Sequence, residues 1–265
     1  MSMYSSDAIT NKLPPPDTHF AVSIGDCTFN YPGQPDSFFS HLDLQIRAGE
    51  RFGLFGPNGA GKTTLMHLMT GLLPSREGCI RLLGVKIEKH KKSINKLFGF
   101  VPQDFSFYHE LTPVENLEFF GAWAGLHKQE IRKRTDELLD ILGLTEVRNK
   151  PVQKFSGGMK RMINLAIGVV HRPQILFLDE PTVGVDVQTR HAIINYLKEL
   201  NKNGTTLIYT SHQLNEAEEL CERIALLDKG KIVAHDDLDK LLSAHRQDGL
   251  EGLFLKLTGE KYKND

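Results

Sequence analysis

The sequence of 265 residues predicts an α/β fold: a mostly parallel sheet, an inserted α-helical subdomain and an antiparallel β edge subdomain. Apolar strands alternate with amphipathic helices between residues 51 and 72 and again between 175 and 221. From about residue 104 to 167 the apolar spacing turns helical. Two short apolar segments flank Asp228-Lys229-Gly230 and predict an antiparallel hairpin.

The segment after the N-terminus predicts two partnered strands, at 21–29 and 39–46, because apolar and polar residues alternate in both. The residues expected to face inward are Val22, Ile24 and Cys27 in the first and Leu42, Leu44 and Ile46 in the second.

A buried strand at 51–55 is expected to enter the tight loop 56–59, where glycine, proline and asparagine are concentrated. A helix at 64–72 follows, with Gly71 near its end as a C-terminal cap. Four apolar residues at helical spacing would share one face of it: Leu65, Leu68, Met69 and Leu72.

The inserted helical part has one apolar face, predicted from Ile131, Leu138, Leu139 and Leu142. The α/β alternation then returns. Strands are expected at 175–178 and 205–209, and helices at 192–200 and 211–221.

Composition excludes several classes of function. The net charge of −1 makes a dominant nucleic-acid-binding surface unexpected. Three scattered cysteines, without a CxxC pair, indicate neither a disulfide framework nor a zinc site. No run of about 18 apolar residues exists, so any membrane-spanning part should belong to another polypeptide.

A phosphate-binding loop is the strongest motif. Eight consecutive residues match G-x-x-x-x-G-K-[ST] between a predicted strand and a predicted helix. Glycines let backbone N–H groups surround phosphate oxygens, and the helix N-terminus adds a positive dipole end. Lys62 should reach the β- and γ-phosphates, and Thr63 should hold Mg²⁺. The residues assigned to nucleotide binding are Gly56, Pro57, Asn58, Gly59, Ala60, Gly61, Lys62, Thr63 and the adjoining Thr64.

Two carboxylates, Asp179 and Glu180, end the apolar strand at 175–178. Burial of an unpaired charge is expensive, so carboxylates at this position need a purpose or a partner. Asp179 can reach a Mg²⁺ ion near Thr63, and Glu180 can orient or deprotonate the water that attacks the γ-phosphate.

The segment Phe155-Ser156-Gly157-Gly158-Met159 precedes an apolar helix and resembles the LSGGQ signature of ABC ATPases. The motif order along 20–235 strengthens this resemblance. It implies that Tyr31 stacks on adenine, although local packing of this aromatic is an alternative. It also implies that Gln103 contacts Mg²⁺ and water, that Asp186 is the D-loop acid and that His212 contacts the γ-phosphate.

Three residues depart from the usual ABC pattern: Phe155 and Met159 within the signature, and Val183 in the D-loop. The signature variant, followed by basic residues, resembles the branch that serves exporters of drugs, antibiotics and polysaccharides. The segment 250–259 resembles the C-terminal tail of that branch.

The resemblance implies a P-loop NTPase with a RecA-like sheet that binds ATP and Mg²⁺ and hydrolyses ATP. Ser156, Gly157 and Gly158 would bind ATP held by a second ATP-binding subunit, identical or paralogous. A multispanning membrane permease would be the other partner, at the cytoplasmic face of the cell membrane. The predicted division is a flexible arm over 1–19, the ATP-binding domain over 20–240 and a tail over 241–265.

Two function classes stay open: the motor of a membrane exporter, and a non-transport ABC ATPase acting on nucleic acid or ribosomes. The second class typically has long coiled coils, two fused modules or a basic surface, none of which this sequence shows. A P-loop kinase is disfavoured by the Ser156 motif and His212.

An aromatic-rich group is the expected docking surface for the permease, within 103–108 and 117–123. Phe105 and Phe107 fall in a predicted loop, which favours docking. For Phe119, Phe120 and Trp123, a place in the core of the helical part is an equal alternative.

Overall fold

The structure, a computed structural model, describes residues 19–87 and 94–259. Its strands are β1 (Phe20–Phe29), β2 (Phe39–Arg47), β3 (Arg51–Phe55), β4 (Glu77–Leu82), β5 (Val85–Lys86), β6 (Phe98–Val101), β7 (Ile175–Asp179), β8 (Thr206–Thr210), β9 (Arg223–Asp228) and β10 (Lys231–Asp237). Its helices are α1 (Lys62–Met69), α2 (Pro113–Trp123), α3 (Lys128–Ile141), α4 (Gly157–Val169), α5 (Val187–Lys202), α6 (Leu214–Leu220), α7 (Leu238–His245) and α8 (Leu250–Thr258).

The strands form a four-stranded sheet in the order β2-β1-β4-β5 and a six-stranded sheet in the order β10-β9-β3-β8-β7-β6. The smaller sheet is antiparallel. In the larger sheet, β9, β3, β8, β7 and β6 run parallel and β10 pairs antiparallel with β9. The predicted α/β fold, with its antiparallel edge, is confirmed.

Alternating side chains of β7 divide the core between the two faces of the larger sheet. Ile175 and Phe177 pack with the smaller sheet and α1. Leu176 and Leu178 pack on the opposite face, with the helices that follow β6. All four side chains are fully buried. A parallel strand that is covered on both faces needs apolar residues at every position, which accounts for the uninterrupted apolar run in β7.

Parallel pairing brings the carboxyl ends of β3, β6, β7 and β8 to one edge of the sheet. Leu54 of β3 and Asp179 of β7 both pair with Thr210, the last residue of β8. Loops after these strands therefore meet at this edge, where ligands of open α/β sheets bind.

The helical segment begins with a capping box on α2: Thr112 accepts from Glu115 N at 3.2 Å and donates its own N–H to Glu115 Oε2 at 2.8 Å. The predicted apolar face of α3 is buried, from Ile131 to Leu139, and Leu142 continues it. Helix α4 packs closely on β6, since a Cβ on Gly99 would lie 1.9 Å from the Gly168 carbonyl oxygen. This contact packs the strand that leads to Gln103 directly on the helix that follows Ser156.

Three predicted helices have wrong boundaries. Helix α5 begins at Val187 and not at the predicted residue 192, because Asp186 caps its first turn. Helix α1 ends at Met69, where Gly71 adopts a φ of 72° and reverses the chain, so Leu72 is 63% exposed. Helix α6 begins at Leu214 and leaves Ser211 in a loop. The Ser211 hydroxyl accepts the Gln213 N–H at 2.9 Å, a local bond that competes with the helix.

The aromatic prediction is corrected in part. Phe107 is only 8% exposed and belongs to the core, and Phe105 is partly buried against the same core. The two rings stack on each other, with their centroids 5.4 Å apart. Phe119 and Trp123 are 46% and 74% exposed, whereas Phe120 is partly buried.

None of the described helices has the length and apolar character needed to cross a bilayer. The domain boundaries at 19 and 240 stay predictions, and residues 1–18 of the predicted arm lie outside the described part.

Candidate nucleotide-binding site

A cavity of about 670 Å³ opens at the carboxyl edge of the larger sheet. Most predicted site residues meet in its wall. The lining residues are Tyr31, Phe38, Asn58, Gly59, Gly61, Lys62, Thr63, Thr64, Gln103, Glu180, Val183 and His212. Gly56, Pro57 and Ala60 belong to the same loop without lining the cavity.

The loop between β3 and α1 requires glycine at two points. Gly56 has a φ of 153°, and a Cβ there would lie 2.2 Å from the Leu227 carbonyl oxygen. Gly61 has a φ of 109°, and its Cβ would lie 2.6 Å from the Phe38 ring. No described side chain caps the N-terminus of α1. The positive end of the helix dipole is thus open to an anion in the cavity.

Lys62 crosses the mouth of this loop. Its Nζ donates to the Gly56 and Pro57 carbonyl oxygens at 2.8 and 3.1 Å, and the residue is 6% exposed. Burial lowers the pKa of Lys62, while Glu180 and Asp179 oppose the shift. A partly desolvated ammonium facing a cavity favours an anionic ligand such as a phosphate.

Glu180 is the centre of a polar group formed by three separate loops. Its Oε2 accepts from Gln103 Nε2 at 3.2 Å and lies 3.1 Å from His212 Nδ1. Its backbone has a φ of 48°, a left-handed conformation that costs a non-glycine residue about 1–3 kcal/mol. The Glu180 N–H donates to both the carbonyl and the hydroxyl of Thr210, at 3.2 and 3.1 Å, which holds this conformation.

Asp179 is 2% exposed and accepts from the Thr210 hydroxyl at 2.7 Å. It lies behind the cavity wall, next to Glu180. Together with Thr63 and Gln103 it supplies carboxylate, hydroxyl and amide oxygens, which are donors that suit Mg²⁺. Within the described ranges no group of three or more His, Cys, Asp or Glu residues forms a metal site. Three protein oxygens fill only part of an octahedral shell, so the set fits an ion that also takes phosphate oxygens and water as ligands.

Tyr31 lines the cavity beside α1, and its hydroxyl is 2.5 Å from Thr64 Oγ1. The ring makes edge contacts with Phe29 and Phe38, at centroid distances of 5.0 and 5.4 Å. Phe38 was not predicted as a site residue. The only signal for Phe38 in the sequence is its position next to the first residue of β2. Strand pairing then brings its side chain beside Tyr31.

The signature residues lie outside the cavity. Ser156 caps α4 by accepting the Met159 N–H at 3.3 Å, and both Ser156 and Gly157 are exposed. A Cβ on Gly158 would lie 3.0 Å from Thr189 Oγ1, which itself donates to Asp186 at 2.7 Å. Ser156–Gly158 and Asp186 are therefore neighbours on a second, exposed surface.

Asp186 caps α5 through the Thr189 N–H at 2.9 Å. Hydrogen bonds from Thr189 hold the pKa of Asp186 below its usual value, so the carboxylate stays ionised at the dipole's positive end.

Arg161, which the sequence marked only as one of the two basic residues after the signature, joins several of these loops. It is 4% exposed and donates to the Gln103 carbonyl at 2.7 Å and to the Val183 carbonyl at 3.3 Å. Its guanidinium lies 4.8 Å from the Phe105 ring centroid. Burial lowers the pKa of Arg161, and the nearby charges of Asp104 and Glu180 oppose this shift. The sequence shows only a basic residue after the signature and gives no indication that its side chain is buried.

Comparison with known proteins identifies the family of the chain. A family model described as ABC transporter matches residues 39–183. The dimeric structure of a post-hydrolysis state of the ATP-binding cassette MJ0796 bound to ADP and Pi is similar at a TM-score of 0.75 and 28% identity. It covers 82% of this chain and 98% of that one.

Two curated relatives are similar in sequence. The linearmycin resistance ATP-binding protein LnrL of Bacillus subtilis is 44% identical over 193 residues, 73% of this chain and 62% of that protein. The Nod factor export ATP-binding protein I of Sinorhizobium fredii is 40% identical over 190 residues, 72% of this chain and 55% of that protein. The chain thus spans less than two thirds of each relative. From the matched family model and these identities, the chain belongs to the ABC transporter family.

Proposed function

We propose that this chain is the ATP-binding and ATP-hydrolysing subunit of an ABC exporter and drives a separate membrane-spanning partner. One observation carries the proposal: Lys62, Gln103, Glu180 and His212, from four separate segments of the chain, converge on one cavity. The names of the two relatives, one for resistance and one for export, support the export direction.

In hydrolysis, the loop N–H groups and Lys62 bind the β- and γ-phosphates, and Tyr31 stacks on adenine. Glu180 holds the attacking water and accepts its proton as the water oxygen bonds to the γ-phosphorus. The bond from that phosphorus to the β–γ bridging oxygen breaks, which leaves ADP and phosphate. His212 and Gln103 orient the same groups through their contacts with Glu180. Thr63, Gln103 and Asp179 would hold Mg²⁺, which would supply positive charge against the phosphate oxygens.

The second exposed surface would complete the ATP site of a partner subunit. Ser156 and Gly157 lie at the N-terminus of α4, accessible to another molecule. A hydroxyl and N–H groups at a helix N-terminus form a phosphate-binding arrangement. The dimeric state of the similar cassette supports this assembly. ATP at such an interface would draw two subunits together, and hydrolysis would release them.

Ser156→Arg is expected to prevent the ATP-dependent dimer and leave ATP binding to the single chain unchanged. The long cation would fill the space intended for phosphate and would face Lys62 of the other subunit's site. Size-exclusion chromatography with ATP, in a Glu180→Gln background that slows hydrolysis, measures the dimer. Ser243→Arg, an exposed serine on α7, is the matched control. A normal dimer in the Ser156 variant would contradict the shared site.

The permease would dock in an apolar groove between α2 and β6, with a volume of about 670 Å³. Leu72 and Trp123 line it and are 63% and 74% exposed. Pro102 and Ser106, which flank residues 103–105, line the same groove. A partner bound there would contact both the helical part and the chain that leads to the ATP site. Exposed apolar surface of this kind is typical of interaction sites.

Trp123→Glu is expected to lower copurification of the membrane partner about tenfold or more, because buried tryptophans are frequent hot spots. ATP binding should stay unchanged, since the residue lies outside the ATP cavity. Ile141→Glu, a similarly exposed apolar residue at the end of α3, is the control. Affinity purification from membranes with quantitative mass spectrometry measures the ratio. Equal recovery of a membrane protein with both variants would place docking elsewhere, and recovery of none with the wild type would contradict the transport role.

A further inference from the structure

A buried carboxylate, Glu216, lies between the two loops that carry Glu180 and His212. It is in the first turn of α6, and its side chain is 3% exposed. An ionised carboxylate loses several kcal/mol of hydration when it is buried, so it persists only where partners compensate.

Three hydroxyl groups donate to the same oxygen, Glu216 Oε2. Thr182 Oγ1 and Tyr209 OH both lie at 2.6 Å, and Ser211 Oγ lies at 3.2 Å. The other oxygen, Oε1, has no hydrogen bond within the described residues and is 3.9 Å from Arg190 Nη1. One carboxylate thus joins β8, α5 and two loops.

Two of these hydroxyls lie beside the proposed catalytic residues. Thr182 is two residues after Glu180, and Ser211 immediately precedes His212. Because Glu180 Oε2 and His212 Nδ1 are only 3.1 Å apart, a shift of either loop would separate them.

Glu180 depends on such support because its φ of 48° is unfavourable for glutamate. Thr210 holds the backbone N–H of Glu180, and the Thr182–Glu216 bond holds the chain that follows. Ser211 is held in the same way, by donating to Glu216 and accepting from Gln213 N–H. The hydroxyl bonds therefore fix both loops to a single buried group.

We propose that Glu216 is a positioning residue that keeps Glu180 and His212 at the separation needed for ATP hydrolysis. This inference rests on the proposed function, because Glu216 acts on hydrolysis only through Glu180 and His212. It assigns no contact between Glu216 and ATP. Loss of the carboxylate should slow the chemical step and leave the phosphate-binding loop unchanged.

Glu216→Ala in the full chain is expected to lower kcat about 10- to 100-fold, the size of effect that a displaced catalytic group produces. The ATP affinity should stay within about threefold of wild type. Glu216→Gln keeps one acceptor oxygen for the three hydroxyls and should restore part of kcat. Glu219→Ala is the matched control, because Glu219 is exposed on the same helix and pairs with Lys198 at 3.0 Å.

A double-mutant cycle separates positioning from general stability. In a Glu180→Gln background, measured by single turnover, Glu216→Ala should lower the rate far less than it does in wild type, because the carboxylate that it positions is gone. Equal losses in both backgrounds, or a wild-type kcat for Glu216→Ala, would overturn the inference.

If Glu216→Ala fails to fold, Thr182→Val and Ser211→Ala each remove one hydroxyl from Glu216 with little change of volume. Each should lower kcat at unchanged ATP affinity, and unchanged kcat in both would overturn the inference. A wild-type chain that binds ATP without hydrolysing it would instead contradict the proposed function.

Discussion

Lys62→Ala should weaken ATP binding about 100-fold or more and abolish measurable hydrolysis. The Lys62 ammonium is nearly buried at the cavity, where water competes little for phosphate oxygens. A hydrogen bond to a charged group contributes about 1.5–3 kcal/mol, so the loss of contacts to two phosphates accounts for this factor.

Isothermal titration with ATP measures the effect. Lys62→Met, which keeps the length of the side chain, should behave like Lys62→Ala, because the charge and the donated hydrogen bonds cause the binding. Lys231→Ala in the hairpin between β9 and β10 removes an exposed lysine and should bind ATP normally. Wild-type affinity in both Lys62 variants would reject the assignment of the phosphate loop.

Glu180→Gln should bind ATP with wild-type affinity and hydrolyse it about 10²- to 10⁴-fold more slowly, the usual effect of removing a general base. The amide can still contact His212 and Gln103, but it cannot accept a proton from water. ATP would then persist at the interface, and the dimer should accumulate.

Single-turnover hydrolysis and light scattering with ATP measure the two effects of Glu180→Gln. The exposed residue Glu219, changed to Gln, tests whether loss of any carboxylate in this region slows the reaction. Hydrolysis at the wild-type rate by Glu180→Gln would move the catalytic role to another group at the cavity, whereas a monomer under saturating ATP would contradict the nucleotide-held dimer.

Local patterns predicted most of the fold because the larger sheet is built from short apolar strands with clear boundaries. Strands β3, β7 and β8 lie within one residue of their predicted positions. Errors occur where a local interaction places a helix end at a residue that the apolar spacing does not predict. Gly71 ends α1 before Leu72, and the Ser211 hydroxyl delays the start of α6.

The phosphate loop, the carboxylate pair after β7, the signature at Ser156 and their order can all be read from the sequence, because each is a contiguous motif with its own chemistry. Which motifs share a cavity and which face outward depends on how the strands pair and cannot be read in this way. The contacts of Phe38, Arg161 and Glu216 could be found only in the folded molecule, because their partners lie on strands and loops that are distant in sequence. A buried charge carries no local pattern that distinguishes it from an exposed one; its partners come from other strands and loops.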